Sequence, residues 1–382
     1  MIYWIGAALV FFLFQLPPVR YFFFNQVGRW AYILLYASCL SFVLTPLIIN
    51  VAKRFKIVDH PAARKVHEKA TPLLGGLSVI IAFYAALISN MILDREMTIV
   101  LITGFILAIV CLIDDIKGIA ARVKLTVQVL MAVILMVNGI VLEIFPIATW
   151  WGQVLNHITT AIWVIGIANA MNFMDGMDGL ATGLGIIISF YLGIVAFQTN
   201  QPDFGWIAVA MLGSCLGFLP FNFRGRKPAL IFLGDLGSIF IGYILGAIAI
   251  MGNWSEKDPI VSFATPLLIF WVLIYDMIYI TIERILTGKV KTIKDWIDYV
   301  GKDHLHHRMY TLLGIKYWAV LFIFLISLTL GVTAITLRNA RSIDGILLVI
   351  QAALITIILS ILDYFGRRRA NQMIFDKKGV DD

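Results

Sequence analysis

The strongest constraint on this chain is a succession of apolar runs, each long enough to cross a lipid bilayer. A helical span needs roughly 20 apolar residues. Ten runs qualify, at 31–51, 73–93, 97–113, 123–142, 157–171, 179–198, 205–221, 236–252, 260–282 and 316–336. An eleventh covers 344–364. Residues 2–16 are apolar but short and end at Pro17-Pro18, so they are read as either a span or an interfacial helix. No basic residue precedes them and no small-residue cleavage site follows, which disfavours a cleaved signal peptide. With 60% hydrophobic and 14% charged residues, a soluble globular fold is excluded. The fold class expected is an all-α polytopic membrane protein with a ten-helix core. Its organisation reads as an N-terminal apolar extension (1–30), a membrane core (31–336), an additional C-terminal span (337–366) and a tail (367–382).

Lys and Arg set the orientation. If the loop after residue 51 is cytoplasmic, the segments 52–72, 114–124, 222–235, 284–316 and the tail after 365 share that side and hold 24 of the 30 basic residues. The net charge of +7 then reflects this bias plus any anionic substrate. It is no nucleic-acid footprint, because the basic residues are scattered among short loops. Cys39, Cys111 and Cys215 lie in apolar stretches with neither metal-site nor disulfide spacing, and read as small core residues. In the longest basic loop, Ile293, Trp296, Ile297 and Val300 recur with helical period, which predicts a short amphipathic helix along the membrane.

Carboxylates are costly at a membrane boundary unless they face water, a cation or a partner. Asp114 and Asp115 end the third run. Adjacent carboxylates on a helix diverge, so one can face a metal or phosphate while the other anchors the structure or takes a proton. A plain acidic pair balanced by Lys117, Arg122 and Lys124 is the alternative. Asn169, Asn172, Asp175 and Asp178 follow at three-residue steps, with Gly176 and Gly179 letting backbone approach a ligand. They offer oxygen ligands for Mg²⁺ and donors and acceptors for a base or sugar. The spacing and the lack of a closing Glu disfavour an EF-hand calcium loop, while a polar turn in which Asp178 caps the next helix remains open.

Asp235 lies between Gly234 and Gly237, with Asn222 upstream and Ser238 opening the next run. N–H groups at a helix start favour phosphate, and a carboxylate there can hold a metal bridging to it; a simple N-cap is the alternative. His304, His306, His307 and Arg308 suit phosphate contact better than zinc, since no thiolate accompanies them. Lys65 and His67, followed by Gly75-Gly76, could take an anionic lipid head or nucleotide, or serve only as basic anchors. Asp276 is intramembrane on this map and must face protein or a cavity, with a structural or a catalytic role.

Taken in order, Asp114-Asp115, Asn169-x-x-Asn172-x-x-Asp175-Gly-x-Asp178-Gly, Gly234-Asp235-x-Gly-Ser and Asp303-His-x-His-His-Arg308 resemble the polyprenyl-phosphate N-acetylhexosamine-1-phosphate transferases over residues 31–336. The resemblance implies transfer of a sugar 1-phosphate from a UDP-sugar to a membrane polyprenyl phosphate with release of UMP. It implies Mg²⁺ as cofactor, with Mn²⁺ as the alternative ion, a site on the cytoplasmic face of the cell membrane, and a homodimer as one oligomeric option. It casts Asn172 and Asp235 as metal ligands and Asp114 or Asp115 as contacting and deprotonating the acceptor phosphate. Asp175 would stand beside the metal, Asp178 and Asn222 would serve nucleotide recognition, and Asn169 would support them. Lys65, His67, His304, His306, His307 and Arg308 would neutralise or position phosphates.

Leu305 interrupts the histidine row that the peptidoglycan branch carries unbroken. That favours UDP-N-acetylglucosamine, and teichoic acid, O-antigen or related polysaccharide synthesis, over a muramoyl-pentapeptide substrate. Arg224-Gly-Arg-Lys227 lengthens the loop after Asn222 relative to the family pattern. A secondary transporter would need an inverted repeat and mid-span polar residues. A CDP-alcohol phosphotransferase would need an arginine after Asp178-Gly-Leu-Ala181, and neither pattern is present. A non-catalytic scaffold would have no use for the complete acidic set.

Overall fold

The runs fold into helices, and what interrupts them positions the polar residues. The computed structural model describes residues 2–60, 70–92, 94–255, 258–299, 301, 303–337 and 340–378. In chain order the helices are α1 (Ile2–Leu13), α2 (Pro17–Phe22), α3 (Arg29–Arg54), α4 (Gly75–Ser89), α5 (Arg95–Lys117), α6 (Ala121–Val137), α7 (Trp150–Phe173) and α8 (Leu180–Gln198). They continue with α9 (Pro202–Asn222), α10 (Gly234–Met251), α11 (Pro259–Ile269), α12 (Trp271–Leu286), α13 (Ile293–Asp298), α14 (Leu305–Leu313), α15 (Lys316–Thr336) and α16 (Ser342–Lys378). The protein is an all-α polytopic membrane protein. Among the described residues, eight helices are long and apolar enough to cross a bilayer, or ten if each of two bent pairs is one span.

Helix starts follow local chemistry. Asp94 accepts from Met97 N–H at 2.6 Å to open α5, and Thr149 accepts from Gly152 N–H at 3.2 Å to open α7. Pro202 and Pro259 stand in the first turns of α9 and α11, where their missing N–H costs no bond.

Two of the expected spans are broken. Run 260–282 divides into α11 and α12, bent by 77°, with the break at Phe270. Residues 2–16 form α1, and the chain turns by 78° into Pro17–Val27, where Pro17 and Pro18 stop a straight continuation. The amphipathic segment appears as α13, two turns at most, opened by a Thr292–Asp295 capping box and tied by Trp296 Nε1 donating to Thr281 Oγ1 at 3.2 Å. Val300 lies outside the described residues.

Helix α10 is the central post. Of its apolar window, 89% is buried inside the protein, against 17% for α16, which therefore faces lipid along most of its length. Around α10 stand α4, α5, α7 and α8. A two-stranded ribbon, β1 (Val58–Asp59) against β2 (Thr71–Pro72), carries the chain into α4. Pro72 O accepts from Phe232 N–H, and Gly75 and Gly76 donate their N–H groups to the carbonyls of Phe232 and Leu233 at 2.9 and 2.8 Å. The glycine pair is thus a backbone clasp on the loop preceding α10. Its donors are taken, so they do not bind an anion. Between α12 and α16 runs an apolar groove of about 760 Å³, walled by Trp271, Tyr275, Tyr279, Ile357 and Ile361.

Candidate active site

Helices α5 and α7 end, and α10 begins, at the same end of the bundle, and this direction brings the acids together. Asp115 lies in the last turn of α5, and its carboxylate accepts the N–H groups of Asp235 and Leu236 at 3.1 and 3.2 Å. It therefore caps α10 from another helix, satisfying donors that a helix N-terminus leaves free. Gly234 makes the approach possible: its φ of +75° favours glycine, and a Cβ there would stand 2.6 Å from Asp115 Oδ2. Asp175, in the single turn after α7, takes the Gly234 N–H at 3.1 Å. Three consecutive N–H groups at the head of α10 are thus held by two carboxylates.

Asp235 itself points elsewhere. Its Oδ1 accepts from Asn172 Nδ2 at 2.9 Å, and Asn172 also donates to Ser238 Oγ at 3.0 Å. Its Oδ2 accepts from Lys124 Nζ at 2.5 Å, and the same ammonium lies 2.6 Å from Asp114 Oδ2. Asp114 Oδ1 accepts from Ile119 N–H at 2.5 Å, closing the turn from α5 to α6. Lys124 is the functional residue that sequence reasoning missed. The sequence offers it only as balance for the neighbouring acids, because its link to Asp235 spans 111 residues.

The remaining expected residues fall into place around this centre. Asn169 pairs with Gln128, donating from Nδ2 to Oε1 at 2.6 Å, which joins α7 to α6 and makes Gln128 a second missed residue. Asp178 accepts from Ala229 N–H at 2.8 Å rather than capping α8. Asn222 is buried: its Oδ1 takes the Thr182 hydroxyl at 2.8 Å and its Nδ2 donates to Ile231 O at 3.0 Å. Asp178 and Asn222 thus secure the returning end of the 223–231 loop, at Ala229 and Ile231, while Arg224 and Lys227 pair with each other. Lys65 and His67 lie outside the described residues.

The histidines border the same site through the Asp175 turn. His304 Nδ1 meets Asp276 Oδ2 at 2.7 Å, and Leu305 N–H donates to Asp276 Oδ1 at 2.6 Å. The carboxylate accepts, so His304 is protonated on Nδ1 and its Nε2 is free to act as acceptor when the ring is neutral. The His304 ring packs on Phe173 at 4.8 Å. His306 is 2% exposed, and neither ring nitrogen has a hydrogen-bond partner among the described residues. A Cβ at Gly176 would collide with His306 Nε2, so this glycine admits the imidazole to the Asp175 turn. Burial, with His307 and His304 adding to it, holds the His306 imidazole well below its ordinary value. His307 lies at 4.2 Å from the His306 ring. Arg308 donates from Nε to Asp363 Oδ2 at 2.8 Å and stacks on Tyr279 at 3.6 Å. Asp303 forms a two-point ion pair with Arg284 at 2.7 and 2.8 Å.

Of Asn172, Asp114 and Asp235, the two acids present carboxylate oxygens, the donor chemistry of a hard divalent cation, whereas Asn172 turns its Nδ2 to Asp235 and Ser238 and so departs from the metal-ligand role expected of it. The two carboxylates already converge on one cationic point, the Lys124 ammonium, so the residues fit such an ion. Among the described residues no three His, Cys, Asp or Glu side chains form a ligating group.

The profile of glycosyl transferase family 4 matches residues 97–253, which run from α5 through α10. The chain is 32% identical over 304 residues to a probable undecaprenyl-phosphate N-acetylglucosaminyl 1-phosphate transferase of Bacillus subtilis (strain 168), covering 78% of this chain and 82% of that one. The chain belongs to glycosyl transferase family 4. As a family 4 member it is a membrane transferase, and its acidic centre lies within the matched residues. A decaprenyl-phosphate N-acetylglucosaminephosphotransferase of Mycobacterium leprae (strain TN) is 30% identical, over 72% of this chain and 75% of that one. A phospho-N-acetylmuramoyl-pentapeptide-transferase of Staphylococcus haemolyticus (strain JCSC1435) is also 30% identical, over 57% of this chain and 74% of that one.

Proposed function

We propose that this protein transfers N-acetylglucosamine 1-phosphate from UDP-N-acetylglucosamine to a polyprenyl phosphate, undecaprenyl phosphate in the first instance, at the cytoplasmic face of the membrane. The observation that carries the reading is the convergence of acids at one end of an apolar bundle, with Asp115, Asp175 and Asn172 on the head of α10 and Asp114 and Asp235 on Lys124. In the reaction an oxygen of the acceptor phosphate bonds to the sugar-bearing phosphorus. The bond from that phosphorus to the bridging oxygen breaks, and UMP leaves with the electron pair. Such a transfer needs alignment and charge neutralisation more than covalent chemistry from the protein.

Asp114 and Asp235 would hold Mg²⁺, with Asn172 orienting the Asp235 carboxylate, and the ion when bound would supply charge neutralisation for the phosphates. Asp115 and Asp175 orient the start of α10, and with it the Asp235 carboxylate. Asp114, which shares the Lys124 ammonium with Asp235, would contact the acceptor phosphate. His304, oriented by Asp276, and His307 would position the donor, while the buried His306 packs the Asp175–Gly176 turn beside them. The apolar groove between α12 and α16 suits an isoprenoid chain by composition. The sugar assignment is supported by the relatives: those named for N-acetylglucosamine align over 72–78% of the chain, those named for the muramoyl pentapeptide over 57–59%. The product would enter teichoic acid, O-antigen or a related polysaccharide.

Purified protein with radiolabelled UDP-N-acetylglucosamine, polyprenyl phosphate and Mg²⁺ should move label into the lipid phase, and EDTA should stop it. Label that stays in the aqueous phase, or full transfer by Asp235→Asn, would overturn the reading. Competing UDP-sugars in the same assay identify the donor.

A further inference from the structure

Helix α14 carries His306 and His307 and is fastened at two places. At its start Asp276 of α12 holds both His304 Nδ1 and Leu305 N–H. One turn on, Arg308 reaches α16: its Nε donates to Asp363 at 2.8 Å, its NH2 lies 3.4 Å from the Tyr275 hydroxyl, and its guanidinium covers the Tyr279 ring. Arg308 is 2% exposed and Asp363 is fully buried. A buried ion pair of this kind is costly to desolvate and strongly disruptive to break, so it fixes geometry more than it adds stability. Residues two apart on a helix point about 200° apart. Arg308 therefore grips α16 from the face opposite His306, and the rotation that seats Arg308 on Asp363 is the one that lays His306 against Gly176. Helix α16 lies outside the residues matched by the family profile.

We propose that Asp363 is a positioning residue for the transfer reaction, acting through Arg308 to set the rotation of α14 and so hold His306 against the Asp175–Gly176 turn; this rests on the transferase reading above. Arg308 is then a strut to the C-terminal helix, and the phosphates are met by the histidines. The acid required is a carboxylate at this depth in α16, which gives a helix at the edge of the bundle a stake in the chemistry at its centre.

The test is a double-mutant cycle on the full-length protein in nanodiscs with Asp363→Asn, Arg308→Gln and the pair. Each is read by kcat and KM for the sugar nucleotide, by melting temperature, and by the rate of diethyl pyrocarbonate modification at His306, followed by peptide mass spectrometry with His157 as control. Asp363→Asn should lower kcat by about 10²-fold, the usual cost of misplacing a group by 1 Å, with KM little changed. It should speed modification of His306 and leave His157 alone. Asp363→Glu should recover most of kcat. In the Arg308→Gln background Asp363→Asn should add nothing, because the two act as one unit. Additive losses, or a fall in melting temperature with kcat and His306 reactivity unchanged, would overturn the proposal. Should Asp363→Asn not fold, Asp363→Glu and Arg308→Lys carry the same comparison. If the wild type transfers no sugar phosphate, the transferase reading fails, and the His306 reactivity still decides whether Asp363 holds α14.

Discussion

Lys124 donates to Asp235 at 2.5 Å from 111 residues away in the sequence, and its ammonium also meets Asp114. The acid cluster thus contains its own cation.

Replacing Lys124 with Met should leave Asp114 and Asp235 facing each other without a counter-charge. At 19% and 31% side-chain exposure the Lys124–Asp235 pair is only partly buried, so removing one partner should cost less than the roughly 3 kcal/mol of a fully buried pair, and millimolar Mg²⁺ should return part of it. Differential scanning fluorimetry should therefore show a larger Mg²⁺-dependent rise in melting temperature for Lys124→Met than for the wild type. An equal rise in both would mean that Lys124 and the ion do not share a position.

Asp115 separates positioning from chemistry. Asp115→Ala removes the acceptor for two N–H groups of α10, and a lost cap costs about 1 kcal/mol. Asp115→Asn keeps an acceptor for only one of the two N–H groups and turns a donor to the other, so its melting temperature should fall between those of wild type and Asp115→Ala while transfer falls only partly. An Asn variant that is stable yet wholly inactive would assign Asp115 a direct role with substrate.

Gly176→Ala should crowd His306, at a cost of about 1–3 kcal/mol for overpacking, and transfer should fall with it. Adding His306→Ala removes the ring that the new methyl meets. The double variant should then be no worse than His306→Ala alone, because the two sites share one contact. Losses that simply add would show that the turn suffers for another reason.

The buried His306 ring also predicts a pH dependence. The unfolded chain takes up this proton near pH 6.5, whereas the folded one does so only at markedly lower pH. Between those values the unfolded state binds more protons, so this residue makes stability fall as pH drops below about 6.5. His306→Gln should shrink the difference in melting temperature between pH 7.5 and pH 5.5. A slope identical to wild type would show that the folded imidazole protonates freely.

Much of this architecture was legible in the apolar runs because bilayer thickness imposes a length that no soluble core demands. The break at Phe270 was not legible, since residues on both sides of it are apolar and Pro266 is the one local irregularity. The acids of the site could be listed from their places at run ends, but their partners could not. Asp115 was legible as an acid at a helix end, yet its N–H partners lie on α10, at Asp235 and Leu236. The sequence places Asn222 with the nucleotide, and in the fold its side chain is engaged by Thr182 of α8 and by Ile231 of its own loop. Arg308 was assigned to phosphate from its neighbours in sequence, while Asp363, its ion-pair partner, stands in a helix that the motif does not include.

The Lys124 ammonium has a consequence for biogenesis. A pocket of carboxylates that depended on a bound ion could not close until the ion arrived, and a newly inserted chain would hold it open by self-repulsion. Here the neutralising group is delivered by the polypeptide, so the bundle can reach its final packing in a compartment poor in divalent ions. If a divalent ion binds there as proposed, its loading is a reversible exchange on a finished protein, not a step of its assembly.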